Sequence, residues 1–186
     1  MPGPQLTDSE LVTAIVAGDQ ERFGELVDRY ETKLVRYVVY LIHDQTAAQD
    51  VVQEAFIKAY RNLRGFNDKY KFSSWIYRIA HNEAMTYVRH EKHLDHDTEV
   101  ETLDDTTPES TIIRQIDRAI LRDRMNICLD KLDARYREVL MLQFYEGMKY
   151  DEIADVLHVP ASTVGVWALR GKTKLRQLCE EKGVTL

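Results

Sequence analysis

The sequence predicts an all-α protein of two small helical domains joined by an acidic linker, and three observations predict it. Apolar residues recur at offsets of three and four through residues 7–91 and again through 111–178. Between them Lys92–Ser110, KHLDHDTEVETLDDTTPES, holds seven acids, one lysine, a proline and no apolar period, the composition of a linker. Near the C-terminus, YDEIADVLHVPASTVGVWALRGKTKLRQL resembles a helix-turn-helix. Charge divides at the same boundaries: net -2 over residues 1–91, -6 over 92–110 and +2 over 111–186, so the linker alone accounts for the chain's -6.

Thr7-Asp8-Ser9-Glu10 is a capping box ahead of Leu11 and Ile15, and Gly18 ends that first helix. A longer helix follows from Asp19, with Phe23, Leu26, Val27, Tyr30, Leu34, Tyr37, Val38 and Leu41 in helical register up to His43-Asp44. These helices are expected to pack on a central pair. Nothing in the first forty residues carries chemistry by itself.

The central pair spans Asp50–Arg89. On its first helix Val51, Val52, Ala55, Phe56, Ala59, Tyr60 and Leu63 share the expected core half. The other half carries Asp50, Gln53, Glu54, Lys58 and Arg61 around one apolar residue, Ile57, the composition of a face that docks on another protein. The second helix is expected to start with Ser73 or Ser74 as N-cap, to bury Phe72, Ile76, Ile79 and Ala80, and to turn Arg78, His81, Asn82, Met85 and Arg89 the other way. In the connecting RGFNDKYKFSSW, Phe66, Tyr70, Phe72 and Trp75 offer stacking surfaces for bases. Arg64, Lys69 and Lys71 offer phosphate contacts, and Asn67, Ser73 and Ser74 short hydrogen-bonding groups. Phe56–Glu91 holds seven basic residues against three acids. Core packing competes with stacking for Phe72 and Trp75.

Composition excludes several classes. A 44% hydrophobic fraction fits a soluble globular chain, and no apolar run is long enough for a membrane span. MPGPQLTDSE lacks the charged and apolar regions of a signal peptide, which leads to a cytoplasmic expectation. A pI near 5.5 confines any DNA contact to local patches or to a partner's help. Cys128 and Cys179 have no close partner motif, form neither a zinc spacing nor a disulfide framework, and read as structural. His90, His93 and His96 recur every three residues where a helix gives way to the acidic segment, with no second shell to support a metal. No Ser/His/Asp set, glycine-rich phosphate loop or ligand cluster is present, so no catalytic residue, metal or cofactor is assigned.

Residues 111–131 restart a helix with Ile112, Ile113, Ile116 and Ile120, and LDARYREVLMLQFYEGMKY continues the pattern after Asp133. In the helix-turn-helix, Ala154 is the small residue at the crossing, His158 lies at the turn and Val164 points inward. The turn needs a left-handed backbone, which histidine tolerates better than most residues. From Ser162, Val164, Ala168, Gly171 and Leu175 form a stripe to be buried. Ser162, Thr163, Val166, Leu169, Arg170 and Thr173 are left outward, flanked by Lys172, Lys174 and Arg176. Pro160–Leu178 has four basic residues and no acid, which suits a helix lying in a major groove between phosphates.

DVVQEAFIKAYRNLRGF followed by FSSWIYRIAHNEAMTYVR resembles conserved region two of the extracytoplasmic-function (group four) sigma factors, small bacterial subunits that direct RNA polymerase to promoters. The C-terminal part resembles sigma domain four, the reader of the minus-thirty-five element. The resemblance implies sigma domain two over 1–91, a linker over 92–110 that passes through the polymerase cleft and exit channel, and sigma domain four over 111–186. It implies that Asp50, Gln53, Glu54, Ile57, Lys58 and Arg61 dock on the clamp helices of core RNA polymerase. It implies that Arg64, Phe66, Asn67, Tyr70, Lys71, Ser73, Arg78, Asn82 and Arg89 engage the minus-ten element of promoter DNA and capture an extruded base. Ser162, Thr163, Val166, Arg170, Thr173 and Lys174 would read the minus-thirty-five element, and an anti-sigma factor would hold the protein inactive. Where the family commonly has T-V-K-S-R, this chain has Thr163-Val164-Gly165-Val166-Trp167, so two basic positions are lost. Upstream contacts there would be weaker or redirected, with Val166 suited to a thymine methyl and Arg170 to guanine. The departure also admits an alternative, a sigma-like mimic or adaptor that binds polymerase or an anti-sigma factor without reading promoters.

Overall fold

The structure, a computed structural model, describes residues 6–94 and 127–181. The described residues form helices α1 (Asp8–Val16), α2 (Phe23–Ile42), α3 (Gln45–Asn62), α4 (Phe72–Leu94), α5 (Ala134–Phe144), α6 (Tyr150–Leu157) and α7 (Ala161–Glu181), with no strand among them. The acidic segment 95–110 and the expected helix from 111 lie outside the described residues, except for a helical turn at 127–130.

Local chemistry sets the helix ends. The Glu10 N–H donates to Thr7 Oγ1 at 3.3 Å and the Thr7 N–H to the Glu10 carboxylate at 2.7 Å, closing the capping box of α1. That Thr7 N–H and the Thr7 hydroxyl, which donates to the same carboxylate at 2.8 Å, hold the Glu10 carboxyl below its usual range. Asp44 caps α3 by accepting from the Ala47 N–H at 2.9 Å. Gly18 leaves α1 at φ +121°, a conformation closed to most side chains.

α2, α3 and α4 pack around Leu26, Leu34, Tyr37, Val38, Val52, Ile76 and Tyr77, with α1 adding Leu11. Buried Ala48, Ala55, Ala59, Ala80 and Ala84 have no bulk beyond Cβ and so let α3 and α4 lie close. α5, α6 and α7 form a second group. Val139, Leu142, Met148, Ile153, Val156, Val164 and Ala168 run without a break into the core of the first group. A separate cluster around Cys128, Leu132, Tyr136, Leu140, Leu175 and Cys179 binds the far end of α7 to α5.

Three expectations change. Tyr60, expected in the core, is 40% exposed, because Ala59 and Phe56 already fill the α3 seam. α4 starts at Phe72, so neither Ser73 nor Ser74 is its N-cap: the Trp75 N–H bonds the Lys71 carbonyl, and Ser74 is buried within the helix. Phe72 offers no stacking surface, being 3% exposed and packed on Tyr30, Phe66 and Trp75 at 5.5–6.0 Å between ring centres. Cys128 and Cys179 are free thiols that lie beside each other. Both are buried, and burial together with the Cys128 thiol pushes Cys179 up to about 11, where thiolate chemistry is suppressed.

Candidate functional site

The outer face of α3 borders a groove of about 1260 Å³ between α2 and α3. Its apolar walls come from Phe23, Val27 and Val35 of α2 and from Phe56, Ile57 and Tyr60 of α3. Gly24 keeps the α2 wall low. Phe23 meets Phe56 and Tyr60 edge-on, with ring centres 6.3 and 5.0 Å apart. Asp50, Gln53, Ile57 and Arg61 are exposed along its rim. Half-buried Lys58 is instead turned into the α3–α4 seam, where its Nζ lies 2.5 Å from Glu83, and Glu54 lies 3.9 Å from the same ammonium. The groove therefore uses α2, although the first forty residues read as bare scaffold. Phe23, Val27 and Val35 follow the same spacing as the buried positions, and sequence does not reveal that nothing covers them.

The connecting segment and α4 build a second surface at the other end of α3. Phe66 is half-buried against Phe72 and Trp75, leaving Tyr70, 56% exposed, as the open ring. Asn67 Oδ1 accepts from the Lys69 N–H at 3.1 Å and bends the segment around Tyr70. Arg64, Asn82 and Arg89 are exposed, Arg89 being held along α4 by Met85 and Thr86. Ser73 is half-buried beside Tyr30. Burial and the neighbouring Asp8 push the Tyr30 phenol well above its ordinary value, and Tyr30 donates to Asp8.

Lys71 and Arg78 are not open to solvent partners alone. Lys71 Nζ lies 2.6 Å from Glu152, and Arg78 donates to Asp155 at 3.1 Å, both carboxylates belonging to α6. Burial works against ionisation of Glu152, but Lys71 and the Lys149 N–H outweigh it and hold its carboxyl below the usual 4.5. His81 Nδ1 lies 2.7 Å from Glu138 of α5, and Tyr37 donates to the same carboxylate oxygen at 2.5 Å. Burial first and Glu138 second push the Tyr37 phenol far up.

In the helix-turn-helix, His158 takes the left-handed conformation at φ 54°. Its N–H bonds the Ala154 carbonyl, as does that of Val159 at 3.2 Å, and this turns the chain between α6 and α7. α7 buries Val164, Ala168, Gly171, Leu175 and Cys179. Ser162, Val166, Leu169, Arg170 and Thr173 are exposed and Thr163 is half-buried; Leu169 is 69% and Val166 46% accessible. Exposed Lys174 lies 3.1 Å from Asp133 and over the Tyr136 ring at 5.0 Å. Half-buried Gly165 sits beneath the Tyr150 ring, and half-buried Trp167 touches both hydrophobic clusters, so neither stands on the outer face. Of the three histidines, His90 is exposed and the side chains of His93 and His96 lie outside the described residues. Among the described residues, no three His, Cys, Asp or Glu converge to hold a metal ion, and no helix is long and apolar enough to cross a membrane.

Both groups of helices match known proteins. Sigma-70 region 2 matches residues 26–93, and sigma-70 region 4 matches residues 124–175. The chain is 36% identical over 168 residues to the RNA polymerase sigma-H factor of Pseudomonas aeruginosa, covering 86% of this chain and 87% of that protein. It is 31% identical over 179 residues to the ECF RNA polymerase sigma factor SigW of Bacillus subtilis, covering 89% and 93%. Among solved structures it is similar to CnrH in complex with the cytosolic domain of CnrY, at TM-score 0.66 and 25% identity over 94% of this chain and 97% of that one. Its fold is also that of the sigma factor RpoE of Bartonella quintana in complex with the anti-sigma factor NepR, at TM-score 0.67 and 19% identity over 85% and 96%.

Proposed function

Because the chain belongs to the extracytoplasmic-function sigma factors of bacterial RNA polymerase, we propose a division of labour among its surfaces. The protein is an alternative-sigma transcription initiation factor, and such factors are not enzymes. We assign residues 1–91 to core binding and the minus-ten element, 92–110 to a linker and 111–186 to the minus-thirty-five element. The α3 rim, with Asp50, Gln53, Glu54, Ile57 and Arg61, docks core polymerase beside the groove, while Lys58 holds α3 to α4. Arg64, Asn67, Tyr70, Lys71, Arg78, Asn82 and Arg89 face the minus-ten element, with Phe66 as the packed floor behind Tyr70. Capture of a flipped base against Tyr70 offsets the few kcal/mol of unstacking that duplex opening costs. Ser162, Thr163, Val166, Arg170, Thr173 and Lys174 of α7 enter the upstream major groove. Work on promoters places the factor in the cytoplasm, and we assign it an anti-sigma partner on the strength of its family.

One observation carries this reading: an apolar groove with an exposed rim on α3 adjoins a basic, aromatic surface on the next helix, so one rigid unit joins a protein contact to a DNA contact. The test is transcription by bacterial core polymerase from a library of random upstream sequences, with Gln53→Ala and Arg78→Ala alongside. Enrichment of a two-part motif that both variants lose is the expected result. Binding to core without any enriched sequence would favour the mimic, and failure to bind core would sink the assignment of α3.

A further inference from the structure

Leu169 is the most exposed large apolar side chain among the described residues, at 69%, and it stands on the helix face assigned to DNA. Val166, 46% exposed, lies one turn before it. At 3.6 residues per turn, Leu169 and Arg170 fall about 60° and about 40° to either side of Val166, so the middle of the outer face is apolar and only one flank carries a guanidinium. The polar groups around this pair have other uses. Thr173 donates its hydroxyl to the Leu169 carbonyl at 3.1 Å. Lys174 lies 3.1 Å from Asp133, and Lys172 lies over the Phe144 ring at 5.2 Å.

A single exposed leucine is ordinary, but an apolar pair one turn apart on a face without acids is not. Pro160–Leu178 carries four basic residues and no acid, which draws a polyanion to this face. In a major groove the apolar group that a base edge offers is the C5 methyl of thymine. Residues three apart on a helix have Cβ atoms about 5–6 Å apart, and base pairs stack at about 3.4 Å, so the two side chains reach base pairs one or two steps apart. Packing on methyl groups removes apolar surface of both partners from water. A cytosine amino group or a guanine oxygen in the same place would lose its water without a replacement.

We propose that Leu169, together with Val166, makes upstream recognition by this factor a methyl readout: each side chain packs on the C5 methyl of one thymine, the two thymines lying one or two base-pair steps apart. This rests on the assignment of α7 to the upstream element and adds the kind of sequence that α7 selects.

Deoxyuridine pairs as thymidine does and lacks only that methyl. Holoenzyme made from bacterial core polymerase and the full chain is bound to an enriched promoter in which each thymine of the upstream part, on either strand, is replaced singly by deoxyuridine. Two positions one or two steps apart should each lose about fourfold in affinity, the worth of one buried carbon, and the other thymines little. Leu169→Ala should weaken the all-thymine promoter and abolish the uracil effect at one of the two positions, and Val166→Ala at the other. The uracil series uses the wild-type protein alone, so it decides the matter even where a variant misfolds. Wild-type affinity unchanged at every substituted position would overturn the methyl readout, as would an enriched upstream part with no thymine on either strand. Uracil effects that persist in Leu169→Ala would remove Leu169 from it. Weaker core binding by that variant, with no uracil effect in wild type, would give the patch to a protein partner instead. Should wild-type holoenzyme enrich no upstream sequence at all, the assignment of α7 fails, and the methyl readout with it.

Discussion

Two glycines of α7, six residues apart, should respond to the same substitution with opposite signs. A Cβ at Gly171 would lie 3.2 Å from Tyr136 Cβ and 3.2 Å from Leu140 Cδ1, inside the 3.5–4.0 Å at which carbon atoms attract. Tyr136 Cβ is fixed to the α5 backbone, and Leu140 is 1% exposed, so neither can swing aside and the two helices must part. Overpacking of this kind costs about 1–3 kcal/mol, against roughly 1 kcal/mol gained by replacing a helical glycine with alanine. A Cβ at Gly165 meets only the edge of Tyr150 at 3.7 and 3.8 Å, ordinary contact, so the gain of about 1 kcal/mol stands nearly undiminished there. Gly165→Ala should therefore melt higher than wild type and Gly171→Ala lower, with a shift of about 2–4 °C per kcal/mol for a chain of this size. Thermal denaturation followed by circular dichroism, with one buffer and one scan rate, measures both. Should Gly171→Ala prove as stable as Gly165→Ala, the close α5–α7 crossing is wrong, and with it the placement of the outer α7 face.

Three further outcomes are expected. Tyr60→Ala should weaken core-polymerase binding by about tenfold, as loss of an aromatic anchor does, without changing promoter preference; competition binding with labelled factor measures this, and unchanged affinity would remove the groove from the docking site. Arg170→Ala should relax preference at a single upstream base pair by about 1–3 kcal/mol, whereas Lys174→Ala should weaken all sequences alike; position-by-position selection with reconstituted holoenzyme separates the two. Tyr30, Tyr37 and Tyr77 all have phenols raised by burial, with Asp8, Glu138 and Glu146 as the respective neighbours. Because the fold favours their neutral forms, their contribution is intact below pH 10 and declines as pH rises beyond it. Ultraviolet titration should show them ionising together with loss of helicity, and ionisation of all ten tyrosines in an intact fold would contradict their burial.

What was legible in the sequence was whatever one helix decides for itself. The stripe Val164, Ala168, Gly171 and Leu175 followed from helical geometry alone, because a residue every three or four positions faces the same side whatever it packs on. The Thr7–Glu10 box and the left-handed His158 are likewise settled within four or five residues. The groove was not legible. Phe23, Val27 and Val35 have the composition of core, and whether a face is covered depends on elements distant in sequence. Tyr60 failed for the same reason: its register is that of the core, but its ring lines the open groove against Phe23. At the surface assigned to the minus-ten element, the basic and aromatic residue types were evident from sequence, whereas the division between Phe72 as core and Tyr70 as open ring came from how the segment enters α4.

The acids of α6 show how a local reason can conceal a distant one. Asp151 and Glu152 sit in the first turn of α6, where negative charge suits the helix dipole, and Glu152 also accepts from the Lys149 N–H at 2.8 Å. Their presence needs no partner, and Lys71 is a second use of a carboxylate that the helix already employs. Asp155 differs. It lies beyond the first turn, where the dipole no longer favours an acid. Aspartate is also a weaker helix former than the glutamate or lysine that would serve an exposed position. Its carboxylate is 25% exposed and faces Arg78, 32% exposed, 77 residues away in sequence. Two half-buried charges left without each other would each face a desolvation penalty that the pairing removes. Among the described residues, the ion pair of Asp155 is with Arg78, across the seam between the two groups of helices. Its replacement by asparagine should leave α6 intact while loosening the two halves, and a drop in helicity instead would return Asp155 to a local role.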